Sequence, residues 1–132
     1  MSSQKADTRP LSPHLQVWRW HATMASSILH RATGIANYFG ACALAVWIIF
    51  IALGADAYGV IQPLFEGPVG WLCRAALIGL TYSASYHWLN GLRHLIWDAG
   101  KGFDPQGSNL RSLLIIGGAV IPTAAIWIIA GV

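Results

Sequence analysis

Three stretches of the chain are dominated by apolar residues, and polar segments separate them. The stretches Ile35–Leu53 and Ser112–Val132 carry no charged residue, whereas the middle stretch is interrupted by arginines and histidines. A helix of about 20 apolar residues crosses the roughly 30 Å hydrocarbon core of a bilayer, and its backbone polar groups are satisfied internally. The pattern predicts an all-α membrane protein with three transmembrane helices, over about residues 26–53, 69–97 and 111–132.

The composition agrees with this prediction. Hydrophobic residues make up 55% of the 132 residues and charged residues only 10%, whereas soluble domains carry about 25% charged residues. The mean hydropathy of +0.52 excludes a disordered chain, and the length allows one membrane domain, residues 1–132. The eight Lys and Arg residues form no run, so no nucleic-acid partner is predicted. Cys42 and Cys73 form no metal-binding pattern and are expected to be buried free thiols.

The distribution of Lys and Arg predicts the orientation. Positive charges lie in the N-terminal segment, residues 1–25, and in the second connection, residues 98–111, but the first connection, residues 54–68, has none. Because positively charged loops stay on the cytoplasmic side, the N-terminus is expected in the cytoplasm and the C-terminus in the periplasm. The N-terminal segment lacks the features of a cleaved signal or transit peptide. A multi-pass protein of the bacterial inner membrane is therefore predicted.

Titratable residues inside the predicted helices concentrate toward the cytoplasmic ends. Such side chains are costly in a bilayer and usually have a partner or a task. Steps of three and four residues place two sets of polar and small residues along one face of a helix each, and the two faces can enclose a flat cofactor. The sets are Ser27, Arg31, Gly34 and Tyr38 on the first helix and Ser83, His87, Gly91, His94 and Asp98 on the second.

His87 is the deepest of these titratable residues. It lies eleven residues from Asp98, which places it roughly 16 Å into the membrane at 1.5 Å per residue. Its imidazole either hydrogen-bonds to a neighbouring helix or serves as an axial ligand to haem iron. Neither of the other helices carries a histidine at matching depth. A haem with two histidine ligands would therefore take its second ligand from another chain.

The remaining polar residues also have two interpretations each. Arg31 either anchors its helix at the interface, with Ser27 bonding back to the chain, or the two donate to the oxygens of a polar head group. His30 and His94 either form interfacial hydrogen bonds or pair with carboxylates such as haem propionates. Asp98 either caps its helix or pairs with a nearby arginine, Arg93.

Three blocks of sequence resemble a known family: RPLSPHLQVWRW (9–20), SSILHRATG (26–34) and HWLNGLRHLIWD (87–98). In order, spacing and topology they are similar to the large cytochrome b membrane-anchor subunit of succinate dehydrogenase, respiratory complex II. The resemblance covers most of the chain from Arg9 to Asp98. The third helix matches only as an apolar span, and Trp18 stands where many relatives carry Tyr.

The resemblance implies a role for each matching position. His87 matches the axial ligand of haem b, whose opposite ligand is expected from a second, small anchor subunit. Ser27 and Arg31 match quinone-site positions, where Ser27 would hydrogen-bond a quinone oxygen and Arg31 would stabilise the reduced forms. His30 and His94, with Arg31, match positions near the haem propionates. Residues 9–20 match the stretch that meets the iron–sulfur subunit.

The resemblance also implies an enzyme subunit that is not active alone. A flavoprotein subunit with FAD would oxidise succinate in the tricarboxylic acid cycle, and iron–sulfur clusters in another subunit would pass the electrons on. Ubiquinone would be reduced to ubiquinol at the inner membrane boundary. The chain has no dinucleotide fingerprint and no cysteine cluster, so no catalytic residue for succinate oxidation is expected in it.

Two other functions compete with this prediction. A purely structural anchor would hold the soluble subunits to the membrane lipid without binding haem. A transporter or channel subunit would need a polar path through the whole bilayer, and the apolar outer halves of the helices argue against one. Pro122 interrupts the third helix, which tolerates it as a kink in the membrane.

Overall fold

The structure, a computed structural model, describes residues 18–131, and this part of the chain is helical without a strand. The predicted all-α class is confirmed. Of the block at residues 9–20, only residues 18–20 are described, so its predicted contact with another subunit lies mostly outside them. The helices are α1 (Ala22–Ala52), α2 (Ala55–Ile61), a 3-10 helix (Gln62–Phe65), α3 (Gly67–Asp98), α4 (Pro105–Gly118) and α5 (Val120–Ala130).

Two segments are long and apolar enough to cross a membrane by length and composition, α1 and the continuous stretch Pro105–Ala130. The 32 residues of α3 make it about 48 Å long at 1.5 Å per residue, and its arginines and histidines make it more polar. α1 begins at Ala22, four residues before the predicted start. The added turn, Ala22–Ala25, directly follows Arg19 and His21, so the sequence pattern did not separate it from the polar N-terminal segment.

The first connection is more ordered than its Gly and Pro content predicts. It contains α2 and the 3-10 helix, which carry the chain from the end of α1 to the start of α3. Gly54 adopts a φ of 98°, a backbone conformation that glycine takes without steric cost, and it separates α1 from α2. Pro63 and Pro68 occupy the first turns of the 3-10 helix and of α3, where the missing N–H costs nothing.

The predicted third helix is two helices with a break at Ala119. Pro122 has no N–H to donate to the carbonyl of Gly118, and its ring crowds that carbonyl. The helical pattern therefore stops at Gly118 and restarts at Val120. Across the break, the N–H of Thr123 lies 3.4 Å from the carbonyl oxygen of Ala119.

Polar side chains fill the interior and apolar side chains cover the outside. Within residues 18–131 the buried hydrophobic residues are Tyr86 and Ala119 alone, while many leucines, isoleucines and tryptophans are exposed. This inverts the pattern of a soluble protein and fits helices that associate in lipid through small residues and hydrogen bonds. The buried polar residues are Ser26, Ser83, Ser85, Asn90, Arg93, Ser108, Ser112 and Thr123.

α3 is the central helix of the bundle and packs against α1, α4 and α5. Gly40 on α1 lets Leu80 of α3 approach so closely that a Cβ at this position would collide with the leucine side chain. The two cysteines lie away from this packing. Both are free, Cys42 exposed and Cys73 partly exposed, so the prediction that they are buried is wrong, because they lie on the outer, apolar side of their helices.

Candidate functional site

Three histidines meet between α1 and α3. His87 and His94 come from the predicted face of α3, but His30 lies on the face of α1 next to the predicted one, whose Ser27, Arg31 and Tyr38 are exposed. The rings of His30 and His87 are stacked with centroids 4.0 Å apart and planes 12° apart. The ring of His94 lies on His30 at 4.8 Å, and its Nδ1 is 2.9 Å from the carbonyl oxygen of Asn90. The Nδ1 atom of His30 is buried and has no hydrogen-bond partner. We call these three residues the histidine stack.

One edge of the His87 imidazole rests on the backbone of α1. Its Nδ1 lies 3.1 Å from the Thr33 hydroxyl and 3.1 Å from the carbonyl oxygen of His30. A Cβ at Gly34 would lie 3.1 Å from Cε1 of His87, so the glycine allows this close approach. Nε2 of His87 has no hydrogen-bond partner within residues 18–131.

His87 also lines an apolar cleft between α1 and α3. The cleft has a volume of about 710 Å³, within the range of ligand sites, which are mostly apolar with a few placed polar groups. Its polar lining residues are Asn37, Thr81 and His87. The apolar lining includes Leu44, Trp47, Phe65, Leu77, Leu80 and Trp88.

Ser27 and Arg31 lie apart from the histidine stack. Both side chains are exposed, and neither forms a side-chain hydrogen bond within residues 18–131. Ser27 and Arg31 are therefore accessible to a partner or a ligand. They do not contact His87. No group of three or more His, Cys, Asp or Glu residues in the described part of the chain is placed to hold a metal ion between them.

The sequence model of the succinate dehydrogenase/fumarate reductase transmembrane subunit family matches residues 5–126. The chain belongs to this family. It is 32% identical over 120 residues to the succinate dehydrogenase cytochrome b556 subunit of Rickettsia felis, covering 91% of each chain. It is 40% identical over 95 residues to the mitochondrial cytochrome b560 subunit of Sus scrofa, covering 71% of this chain and 55% of that one. These relatives confirm the predicted cytochrome b anchor subunit of complex II.

The anchor subunit contains a second polar cluster that the sequence did not reveal. Ser26 Oγ lies 3.0 Å from the hydroxyl of Tyr86 and donates to Asn90 Oδ1 at 3.1 Å. The guanidinium of Arg93 donates to Ser26 Oγ at 3.2 Å and to Ser108 Oγ at 2.8 Å. The network joins α1, α3 and α4, and we call these five residues the serine–arginine network.

A spacing signal for this network was present in the sequence. Tyr86, Asn90 and Arg93 follow one another at steps of four and three residues, so they share a face of α3. That face lies next to the one carrying His87 and His94. Of the two alternatives for Asp98, the pairing with Arg93 does not occur. The guanidinium donates to Ser26, Asn90 and Ser108 instead and lies over the ring of Trp97 at 4.2 Å.

The connection before α4 is held by one ion pair. Asp104 caps α4 by accepting from the N–H of Gly107 at 2.8 Å, and its other oxygen accepts from Arg111 at 2.8 Å. The hydrogen bond from Arg111 is the main reason that the pKa of Asp104 is lowered, and the bond from Gly107 adds to it. Both bonds favour the ionised carboxylate.

Proposed function

We propose that this chain is the haem b-binding anchor subunit of a succinate:ubiquinone oxidoreductase in a bacterial inner membrane. It anchors the flavoprotein and iron–sulfur subunits and contributes to the site where ubiquinone is reduced. The observation that carries the proposal is the placement of His87, which lines an apolar cleft while its Nδ1 is held by α1.

The residues around the cleft fit a haem group. Haem, when bound, supplies one-electron redox chemistry at its iron. His87 would hold the iron through Nε2, which the hydrogen bonds at Nδ1 leave free, and the apolar walls of the cleft would exclude water. His30 does not line the cleft, but it stacks on His87 and its buried Nδ1 has no partner. A haem propionate that reached the histidine stack would give this atom a partner, with His94 stacked beside it.

The second iron ligand would come from a partner. His30 lies against the face of the His87 ring, so it cannot bind the iron from the opposite side, and no second histidine lines the cleft. We therefore assign the opposite ligand to the second, small anchor subunit. The names of the relatives, cytochrome b556 and cytochrome b560 subunits of succinate dehydrogenase, support a haem protein within a larger complex.

Ser27 and Arg31 would contribute donors to the quinone site. They lie one helical turn apart near the start of α1, and both are exposed without internal partners in the described part of the chain. Both a hydroxyl and a guanidinium can donate hydrogen bonds to the carbonyl oxygens of a quinone, and these donors stabilise negative charge on its reduced forms. The exposure of both side chains supports a site completed by another subunit.

We further propose that α3 crosses the membrane together with α1 and the α4–α5 segment. The length of α3 is sufficient, and its buried polar residues face the other helices rather than lipid, as intramembrane polar groups do. With the positive charges at the N-terminus and in the α3–α4 connection on the cytoplasmic side, the C-terminus lies in the periplasm.

The test uses the complex purified through a tag on this chain. We expect a reduced-minus-oxidised spectrum of a low-spin b-type haem, and the His87→Ala variant should lose that spectrum. Arg31→Ala should keep the haem and the reduction of an artificial acceptor by succinate, but lose most quinone reduction. A complex that contains no haem would leave only the structural anchor, and full quinone activity in the Arg31 variant would remove Arg31 from the site.

A further inference from the structure

The orientation of the His87 ring depends on a threonine one helical turn from His30. Thr33 Oγ1 lies 3.1 Å from Nδ1 of His87, and it also lies 2.8 Å from the carbonyl oxygen of Leu29 and 3.0 Å from that of His30. The same His30 carbonyl lies 3.1 Å from Nδ1. Nδ1 therefore faces two oxygen atoms of α1.

The positions of the protons follow from these distances. A threonine hydroxyl has one hydrogen, and Thr33 donates it to a carbonyl of its own helix, as threonines in helices commonly do. Its oxygen is then free to accept, and the His30 carbonyl can only accept. Both atoms facing Nδ1 are acceptors, so Nδ1 carries the imidazole proton and Nε2 carries the lone pair.

We propose that Thr33 is a positioning residue that fixes His87 in the tautomer and ring orientation needed to bind iron through Nε2. The inference rests on the proposed function, since it concerns the haem ligand. Gly34 is the second part of this arrangement. A side chain at that position would push Cε1 of the ring away from α1 and lengthen both hydrogen bonds.

The hydroxyl has an effect that can be measured on the haem. A hydrogen bond from Nδ1–H makes an imidazole a better electron donor to its metal, which favours ferric iron and lowers the midpoint potential. Thr33→Val removes this acceptor while keeping a side chain of the same shape. Because the His30 carbonyl remains, we expect haem affinity to fall by no more than about tenfold.

The experiment compares four versions of the purified complex: wild type, Thr33→Val, Thr33→Ser and Thr123→Val. We expect Thr33→Val to keep low-spin haem with a raised midpoint potential and shifted electron paramagnetic resonance g values. Thr33→Ser restores a hydroxyl and should match the wild type. Thr123→Val is the matched control, since the Thr123 hydroxyl bonds to Ala119 and Ser85 and not to the histidine stack, and it should leave the haem unchanged.

Each outcome decides the inference. Loss of haem in Thr33→Val but not in Thr33→Ser would also support the role of the hydroxyl. Wild-type potential and g values in Thr33→Val would overturn it, as would equal haem loss in the valine and serine variants. If the wild type lacks haem, or His87→Ala keeps its low-spin spectrum, the proposed function fails instead, so the two failures are distinguishable.

Discussion

The histidine stack and the serine–arginine network lie on adjacent faces of α3 and differ in how their polar atoms are used. In the network, Ser26 and Arg93 form their hydrogen bonds with other residues of this chain. In the stack, His30 keeps an unpartnered Nδ1, and His87 presents its ring to an open cleft. The face with the serine–arginine network joins α3 to α1 and α4. The face with the histidine stack keeps polar atoms that can bind a ligand.

The serine–arginine network also contains two buried polar atoms without a hydrogen-bond partner. Nε of Arg93 and Nδ2 of Asn90 are buried and have no acceptor. They are enclosed by the helices and adjoin no described cleft, and the Arg93 guanidinium is partly compensated by the Trp97 ring below it. Nδ1 of His30 is also buried without a partner, and His30 does not line the cleft. The ligand site is therefore indicated by the cleft beside His87 and not by an unpartnered atom alone.

Removing the guanidinium of Arg93 should give the largest effect on folding. Arg93→Ala deletes donors to Ser26, Asn90 and Ser108. We expect the free energy of unfolding to fall by about 3 kcal/mol, since a hydrogen bond between membrane helices contributes about 1 kcal/mol. SDS-induced unfolding of the anchor in mixed micelles would measure it. Arg31→Ala removes an exposed arginine and is the control, with an expected change below about 0.5 kcal/mol. Equal losses in both variants would show that the hydrogen bonds of the network contribute no more to stability than an exposed arginine does.

Substitutions at two adjacent serines should affect stability in one case and quinone reduction in the other. Ser26 is fully buried in the network, and Ser27 is exposed. Ser26→Ala should lower the free energy of unfolding by about 1–2 kcal/mol. Ser27→Ala should leave that free energy unchanged while lowering quinone reduction. The same unfolding titration and a quinone-reduction assay test both, and the opposite assignment of effects would contradict the comparison.

The smallest effect is expected at Asp104, outside both clusters. Because its folded pKa lies below the ordinary 3.8, its contribution to stability is complete above that value and is lost as the pH falls through the lowered pKa. The melting temperature of the complex should therefore fall less steeply between about pH 5 and pH 3 in Asp104→Ser than in the wild type. Serine keeps an acceptor for the Gly107 N–H but does not titrate. Parallel acid slopes would show that the Arg111 bond contributes nothing.

The sequence predicted that His87 and His94, seven residues apart, share a face of α3, because spacing within a helix determines which residues share a face. It did not place His30 on the opposing face of α1, for which it named Ser27, Arg31, Gly34 and Tyr38. The serine–arginine network was not predicted either. Its formation depends on which faces α1 and α4 turn toward α3, and neighbouring positions such as Ser26 and Ser27 differ by about 100° around the helix.

Other differences also have local causes. The break at Ala119 follows from Pro122, but the sequence alone does not show whether a membrane helix bends at a proline or restarts after it. The helices of the first connection were missed because their Gly and Pro residues favour turns, although the two prolines occupy first-turn positions that helices accept. The exposure of Cys42 reflects an outer surface that is itself apolar.

The inverted interior has a consequence for how the cell makes this chain. Side chains such as Ile128 and Ile129, 78% and 85% exposed, would meet water before they meet lipid if synthesis ended in the cytosol. Chains with so much apolar surface aggregate while they wait. The apolar segments must therefore be shielded from water, by a chaperone or by insertion into lipid, before the subunit acquires any cofactor or partner.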